Sequence, residues 1–163
     1  MGMIDAFIQE IDQEAKTTRV VLERVPSDKL SWKPHPKSMS LGGLATHLAN
    51  LPTWGGTILT DTSFDLATVP PNLEADPSRA AVLSRFDDNM NRTRGLMDKT
   101  DAEYVCMWSL KRGGREMFSL PRVAAFKSFV INHIIHHRGQ MSVYLRLNDV
   151  PVPSIYGPTA DEG

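Results

Sequence analysis

Residues 121–148 read PRVAAFKSFVINHIIHHRGQMSVYLRLN, and a long apolar stripe runs through them at helical spacing. The residues of this stripe are Ala124, Phe126, Val130, Ile134, Met141, Tyr144 and Leu145. The helix should begin near Pro121, and the tail that contains Pro151 and Pro153 cannot continue it. The sequence therefore predicts a last helix from about Pro121 to about Asn148.

Three histidines lie inside this segment, at positions 133, 136 and 137. His133 and His137 are four residues apart, so they lie on one helix face about one turn apart. Phe126 and Val130 share that face, which predicts that the pair points toward the other helices. Two imidazoles at this spacing can bind one metal ion, since ligand nitrogens must lie about 2.0–2.1 Å from zinc. His136 lies about 100° away around the helix and is expected at a rim or on the surface.

A histidine outside this segment, His47, is the third candidate ligand. His47 follows Leu44 by three residues and precedes Leu51 by four, which predicts the inward edge of an earlier helix. Burying three neutral imidazoles without a shared partner would cost free energy, and coordination to a metal ion would remove that cost. The pattern predicts a metal site formed by His47, His133 and His137. The alternative from the residues alone is that these are hydrogen-bonded core or surface histidines.

Two further helices are predicted in the first third of the chain. The first carries apolar residues at helical steps over 4–25 and is ended by Pro26. The second can be capped by Ser40 and runs to Ile58. Pro52 falls inside it and predicts a kink or break there, because proline removes one helical hydrogen bond.

The middle of the chain reads as a connector followed by a third helix. The connector spans 60–77 and contains Pro70-Pro71, where a domain boundary is conceivable but unnecessary. Asp76 and Pro77 are expected to be the N-cap and the first helical residue of the third helix. Apolar residues from 80 to 97 then continue the helical pattern.

Between Thr100 and Leu120 the helical pattern changes to two short strands. Residues 107–110 and 116–120 flank Gly113-Gly114, which predicts a hairpin-like excursion that leans on the helices for stability. Four helical segments with short connections favour an all-α fold, a four-helix bundle with a site built from facing side chains. At 163 residues the chain is about the size of one domain, and residues 1–163 are interpreted as a single domain.

Composition excludes several classes of protein. The formal net charge is -1 and no basic block is present, so nucleic acid and anionic membranes are poor partners. No run approaches the ~20 apolar residues of a membrane span, and the N-terminus has no basic start, which argues against export. Cys106 is the single cysteine, which fits a reducing compartment, and we expect a cytoplasmic protein. Cys106 itself is expected to be a buried small hydrophobe beside Met107 and Trp108.

Several short motifs follow one another along the chain. They are Leu30-Ser31-Trp32-Lys33-Pro34, the segment 44–48, Asn132-His133, His137-Arg138-Gly139-Gln140, Tyr144-Leu145-Arg146, Val150-Pro151-Val152-Pro153 and Tyr156-Gly157. Together they resemble the landmarks of the DinB/YfiT-like family, and the resemblance covers most of the chain. The family shares its name with a DNA polymerase, but nothing in this sequence resembles the carboxylate-based chemistry of that enzyme.

The resemblance implies an up-and-down four-helix bundle that is often a homodimer and holds one divalent metal ion. The family's metal ligands carry over to His47, His133 and His137, and none is missing. Imidazole ligands suit several transition metals, of which zinc and nickel are favoured here. No catalytic residue is assigned from the sequence.

The substrate class also comes from the resemblance. Relatives include metal-dependent enzymes that use low-molecular-weight thiols, which suggests a thiol S-transferase or a related detoxification enzyme with a small-molecule substrate. Two alternatives stay open: a non-enzymatic metal-binding or stress-associated protein, and a hydrolase that uses metal-bound water. Three histidines without a carboxylate leave at least one open coordination position, which is typical of catalytic metal sites.

Residues near the predicted ligands allow two interpretations. Arg138 or Gln140 would support the site or orient a substrate; alternatively Arg138 is solvated, Gly139 permits close helix packing and Gln140 bonds a neighbouring backbone. Trp32 is expected to pack under its loop rather than to stack on a substrate. His35 lies in a polar loop and is expected to be exposed.

Overall fold

The computed structural model describes residues 3–69 and 75–163. The dipeptide Pro70-Pro71, and Met1 and Gly2 at the N-terminus, lie outside the described residues. The helices are α1 (Met3–Glu23), α2 (Leu41–Asn50), α3 (Pro52–Thr60), α4 (Arg79–Gly95), α5 (Asp101–Val105), α6 (Arg122–Phe126) and α7 (Asn132–Arg146). The strands are β1 (Ser63–Asp65), β2 (Met107–Arg112) and β3 (Arg115–Pro121), and a π-helical segment (Lys127–Ile131) joins α6 to α7.

Four helices surround the core. Helix α1 packs against α4 and α7, and α2 packs against the same two helices. Their apolar faces bury a shared set of side chains, including Leu22, Leu44, Leu48, Phe86, Met141 and Leu145, each no more than 1% exposed. The prediction of a mainly helical fold is confirmed. No helix in the described part of the chain is both long and apolar enough to cross a membrane.

The predicted break at Pro52 is confirmed, because α2 ends at Asn50 and α3 begins at Pro52. Ser40 caps α2, since its hydroxyl accepts a bond of 3.0 Å from the Gly43 amide. Side chains of α4 bond to the backbone around the break. Asn89 Nδ2 donates to the Ala49 carbonyl at 2.9 Å, and Thr93 Oγ1 donates to the Pro52 carbonyl at 2.6 Å. Buried carbonyls at this helix junction are therefore paired.

Gly55 lies where α3 is in close contact with α4 and α6. A Cβ atom at this position would lie 2.5 Å from Thr93 Cγ2 and 2.7 Å from Phe126 Cε2. Both distances are shorter than carbon atoms tolerate, so a larger residue would force either α3 or the Thr93 and Phe126 side chains to move. The small residue lets α3 dock against both helices.

The predicted start of the third helix is wrong. Helix α4 begins at Arg79, and its N-cap is Ser78, whose hydroxyl accepts a bond of 3.1 Å from the Ala81 amide. Asp76 is buried and makes tertiary contacts. Its amide donates to Thr46 Oγ1 at 2.7 Å, and its carboxylate pairs with Arg85 at 2.7 Å. The Asp76 side chain is therefore engaged elsewhere, and the next capping residue along the chain begins the helix.

The hairpin is confirmed. Strands β2 and β3 pair antiparallel, and Gly113 and Gly114 form the turn with φ values of 58° and 80°, which favour glycine. Trp108 and Leu110 point from β2 into the core, being 0% and 5% exposed. A third strand was not predicted: β1 pairs in parallel with β2. Three residues are too few for an alternating pattern to be recognised in sequence.

Cys106 is exposed, so the expectation of a buried cysteine is wrong. It lies between α5 and β2, where the chain turns outward before Trp108 returns to the core. Its thiol donates to the Ala102 carbonyl at 3.3 Å. Cys106 precedes β2, so the strand alternation that turns Trp108 into the core does not extend to it.

The last helical segment runs from Arg122 to Arg146, close to the predicted bounds, but it is not uniform. Residues 127–131 adopt π-helical winding, in which the Asn132 amide donates to the Lys127 carbonyl five residues earlier. Each wide turn inserts an extra residue and rotates the following helix face. The π-helical segment therefore helps to set the direction in which α7 presents His133 and His137.

Candidate metal centre

The structure brings the three predicted histidines together. His47 lies on α2, and His133 and His137 lie one turn apart on α7, which packs against α2. One ring nitrogen from each of the three lies within 4.8 Å of the others. These three rings form the histidine cluster. The four-residue spacing on α7 places His133 and His137 side by side, and the packing of α2 against α7 brings His47 to them.

The rings of the histidine cluster are in mutual contact. Ring centroids lie 4.5 Å apart for His47 and His137, 4.7 Å for His133 and His137, and 5.2 Å for His47 and His133. The Nε2 atoms of His47 and His133 are 3.5 Å apart. His137 is buried and the other two are half-buried. The cluster therefore sits at the edge of the core, where one side is open to solvent.

The environment favours neutral imidazoles. Burial, together with the charges of His137 and His133 when protonated, lowers the pKa of His47 to about 4. Burial also lowers the pKa of His133 and of His137. Three rings in contact cannot all carry a proton on each nitrogen without strong repulsion. At neutral pH the cluster therefore offers unprotonated nitrogen atoms, the form in which histidine binds metals.

These residues fit a divalent metal ion. Three neutral nitrogen donors converge, and no carboxylate or thiol joins the group within residues 3–69 and 75–163. A set of three protein ligands is typical of sites that keep a position for another molecule.

The two cluster histidines on α7, His133 and His137, have partners within the same continuous helical segment. His137 Nδ1 and Gln140 Oε1 are 2.7 Å apart. Burial lowers the pKa of His133, and this is the larger effect. A hydrogen bond to the backbone of Phe129, in the π-helical segment, acts in the opposite direction and raises it. Gln140 was named from the sequence as one of two residues that would support the site, and the structure places it in contact with His137.

Arg138 is buried, so the alternative of a solvated Arg138 is wrong. It is 1% exposed and pairs with Glu14 of α1 at 2.6 Å. It also donates to Thr18 Oγ1 at 3.1 Å and to the Tyr156 hydroxyl at 2.5 Å. Tyr156 in turn donates to the Glu14 carboxylate at 2.9 Å. This network around the buried Arg138 was missed from the sequence, because its members are far apart along the chain.

Four other residues singled out from the sequence have clear positions in the structure. His136 and His35 are exposed, as expected. Trp32 is half-buried and packs edge-on against Tyr144 at 5.5 Å, which agrees with a packing role. Gly139 faces open space, since a Cβ atom there would have nothing within 4 Å. It therefore does not serve close helix packing in this chain.

Comparison with known proteins identifies the family. The family model described as the DinB family matches residues 1–163. The chain belongs to the DinB family. An uncharacterised protein of the same family, YrdA of Bacillus subtilis (strain 168), is 23% identical over 159 residues, covering 98% of this chain and 91% of that protein.

Two solved structures share the fold of this DinB-family chain. A DinB-like protein from Bacillus cereus ATCC 10987 superposes with a TM-score of 0.70 at 22% identity, covering 93% of this chain and 97% of the other. A DinB-like protein, YjoA, from Bacillus subtilis gives a TM-score of 0.69 at 16% identity, covering 93% and 99%. At these identities the likeness concerns the fold. The family resemblance inferred from the sequence is confirmed.

Proposed function

We propose that His47, His133 and His137 bind one divalent metal ion, zinc or nickel, and that this DinB-family protein is a metal-dependent enzyme acting with small thiols. The observation that carries the proposal is the convergence of three imidazole nitrogens within 4.8 Å of one another. When bound, the ion supplies a Lewis-acid centre whose +2 charge no protein ligand neutralises.

The protein's own residues perform the binding. Burial keeps the three rings unprotonated at neutral pH, so protons do not compete for their nitrogens. Packing of α2 against α7 holds His47 opposite the pair on α7. The half-buried faces of His47 and His133 leave one side of the cluster accessible to a small molecule.

The thiol substrate is proposed from the family resemblance together with the chemistry of the ligands. A cationic centre held by neutral imidazoles favours an anionic, soft partner such as a thiolate. An S-transferase reaction with a low-molecular-weight thiol is the reaction class that fits best. A non-catalytic metal-binding protein and a hydrolase are the outcomes that a negative thiol result would favour.

Elemental analysis tests the metal site. Purified protein should carry about one divalent ion per chain, and the double variant His133→Ala/His137→Ala should lose it. His35→Ala is the matched control, because it removes an exposed histidine from a loop. Full metal content in the double variant would refute the assignment.

Spectroscopy of cobalt-substituted protein tests the thiol. Addition of a small thiol at millimolar concentration should produce a sulfur-to-metal charge-transfer band, and His47→Ala should weaken or abolish it. A spectrum that does not change while cobalt stays bound would remove the S-transferase proposal and leave the metal site in place.

A further inference from the structure

His137 is held from two sides. On one side its ring faces His47 and His133, with centroids 4.5 and 4.7 Å away. On the other side Nδ1 lies 2.7 Å from Gln140 Oε1. A neutral imidazole carries its single proton on one nitrogen and a lone pair on the other, and a hydrogen-bond partner on one nitrogen determines which form is present.

We propose that Gln140 is a positioning residue that keeps the proton of His137 on Nδ1 and so leaves Nε2 free to bind the metal ion. This inference rests on the proposed metal site. The amide oxygen of Gln140 accepts a hydrogen bond from Nδ1–H and cannot donate one. The contact thus fixes both the tautomer and the rotation of the ring, as partners of metal-binding histidines generally do.

The position of Gln140 suits this role. It is three residues after His137, so it lies on the neighbouring turn of α7 and on the same side of the helix. Gln140 is exposed, whereas His137 is buried, so the amide approaches the ring from the solvent side. Because the amide is neutral, it orients the imidazole without lowering the net positive charge of the site, as a carboxylate would.

The opposite orientation of the amide makes a contrary prediction. If its NH₂ group faced the ring, that group would donate to Nδ1, and the His137 proton would lie on Nε2. The protonated nitrogen would then point at His47 and His133, and His137 would be unable to bind metal without a change of tautomer. The tautomer of His137 therefore separates the two arrangements.

Metal affinity of three variants tests the proposal. Zinc dissociation constants would be measured by competition with a chromophoric chelator. Gln140→Leu removes the acceptor at similar size and should weaken binding about 10- to 100-fold. Gln140→Glu keeps an acceptor and should bind at least as tightly as the wild type. Gln9→Leu, the same change at an exposed position of α1, should leave affinity unchanged.

Two results of this experiment would overturn the positioning role: wild-type affinity in Gln140→Leu, or equal losses in the Leu and Glu variants. The melting temperature of the metal-free variants separates a loss of positioning from a loss of folding. Because Gln140 is exposed, Gln140→Leu should melt as the wild type does.

Long-range ¹H–¹⁵N spectra of the metal-free protein test the tautomer directly. They should show His137 protonated on Nδ1 in the wild type and a shifted tautomer equilibrium in Gln140→Leu. Protonation on Nε2 in the wild type would overturn the inference. This measurement needs no metal, so it decides the role of Gln140 even if the wild type fails to bind metal and the proposed function falls.

Discussion

At the scale of single residues, burial is the property that gives the histidine cluster its chemistry. The same three side chains in water would titrate near 6.5 and would be partly protonated at mildly acidic pH. In the folded chain the pKa of His47 is lowered to about 4, chiefly by burial. The lowered pKa means that His47 binds a proton less readily in the folded chain than in the unfolded chain.

This difference predicts how the stability of the metal-free protein depends on pH. Between pH values of about 6.5 and about 4, His47 carries a proton in the unfolded chain but not in the folded chain. Stability should therefore be full above 6.5, fall as the pH decreases toward 4, and lose no more from this group below that. Melting temperatures in the presence of a chelator measure the effect.

The variant His47→Asn should flatten this pH dependence, because it removes the most strongly shifted member of the histidine cluster. His35→Asn provides the control, since it changes a histidine in an exposed loop and should leave the profile as in the wild type. A wild-type melting temperature that stays constant from pH 7 to pH 4 would contradict the prediction.

A second prediction concerns the buried pair of Arg138 and Glu14. Glu14→Ala leaves a guanidinium that is 1% exposed without its carboxylate partner. Removing one member of a buried ion pair typically costs about 3–5 kcal/mol of the free energy of unfolding. Urea denaturation of the metal-free protein measures the loss.

The same helix provides the control for this pair. Asp12 pairs with Arg94 at 3.0 Å, but the two side chains are 52% and 43% exposed. Asp12→Ala should therefore cost no more than about 1 kcal/mol. Equal losses for Glu14→Ala and Asp12→Ala would show that burial does not set the strength of the Arg138 contact.

At the scale of elements, the hairpin is tied to the rest of the sheet through one carboxylate. Asp65 at the end of β1 accepts bonds from the Gly113 amide at 2.8 Å and the Gly114 amide at 2.6 Å. It also accepts from the Ala67 amide at 2.9 Å. These donors lower the pKa of Asp65, so it stays ionised at neutral and mildly acidic pH.

Asp65→Ala should therefore loosen the hairpin turn. The Gly113 and Gly114 amides lose their acceptor, and their hydrogen exchange should become several-fold faster, while amides in α7 keep their protection. Asp61→Ala is the control, because that carboxylate bonds to Thr60 and not to the hairpin. Unchanged exchange at both glycines in Asp65→Ala would show that the turn is stable without this contact.

At the scale of the whole molecule, the apolar core is built from residues other than the three histidines. The buried side chains of α1, α2, α4 and α7 form one continuous apolar core. A core of this kind supplies its own driving force, unlike a zinc finger, which is unfolded without its ion. Homodimerisation, which the family resemblance implies, stays a prediction that light scattering can test against a monomer of 18.2 kDa.

We therefore expect the metal-free protein to be folded and the metal to raise its melting temperature. At a free metal concentration of 100 times the dissociation constant, preferential binding adds about 2.7 kcal/mol. For a chain of this length that corresponds to a rise of about 5–10 °C. Circular dichroism with and without a chelator measures both quantities.

The double variant His133→Ala/His137→Ala should melt at the same temperature with and without added metal. A random-coil spectrum of the wild type after chelation would contradict the independence of fold and site. An equal rise in melting temperature for the wild type and the double variant would place the stabilising metal elsewhere on the chain.

Local features of the chain were predictable because they depend on residues close together in sequence. His133 and His137 share a face because four residues make about one helical turn. Pro52 divides a helix because it lacks an amide proton, and Gly113-Gly114 turns a hairpin because glycine accepts positive φ values. Periodicity also identified the helical face that carries His47, and the motifs identified the family.

Contacts between distant segments required the folded structure. His47 and His133 are 86 residues apart, and Arg138 bonds to the Glu14 backbone 124 residues earlier. Packing angles, helix rotation and the π-helical segment set these distances, and none of them is encoded in local periodicity. For the same reason the burial of Arg138, the exposure of Cys106 and the pairing of β1 followed only from tertiary packing. Sequence spacing thus determined which histidines share a helix face, whereas the packing of α2 against α7 determined that all three meet.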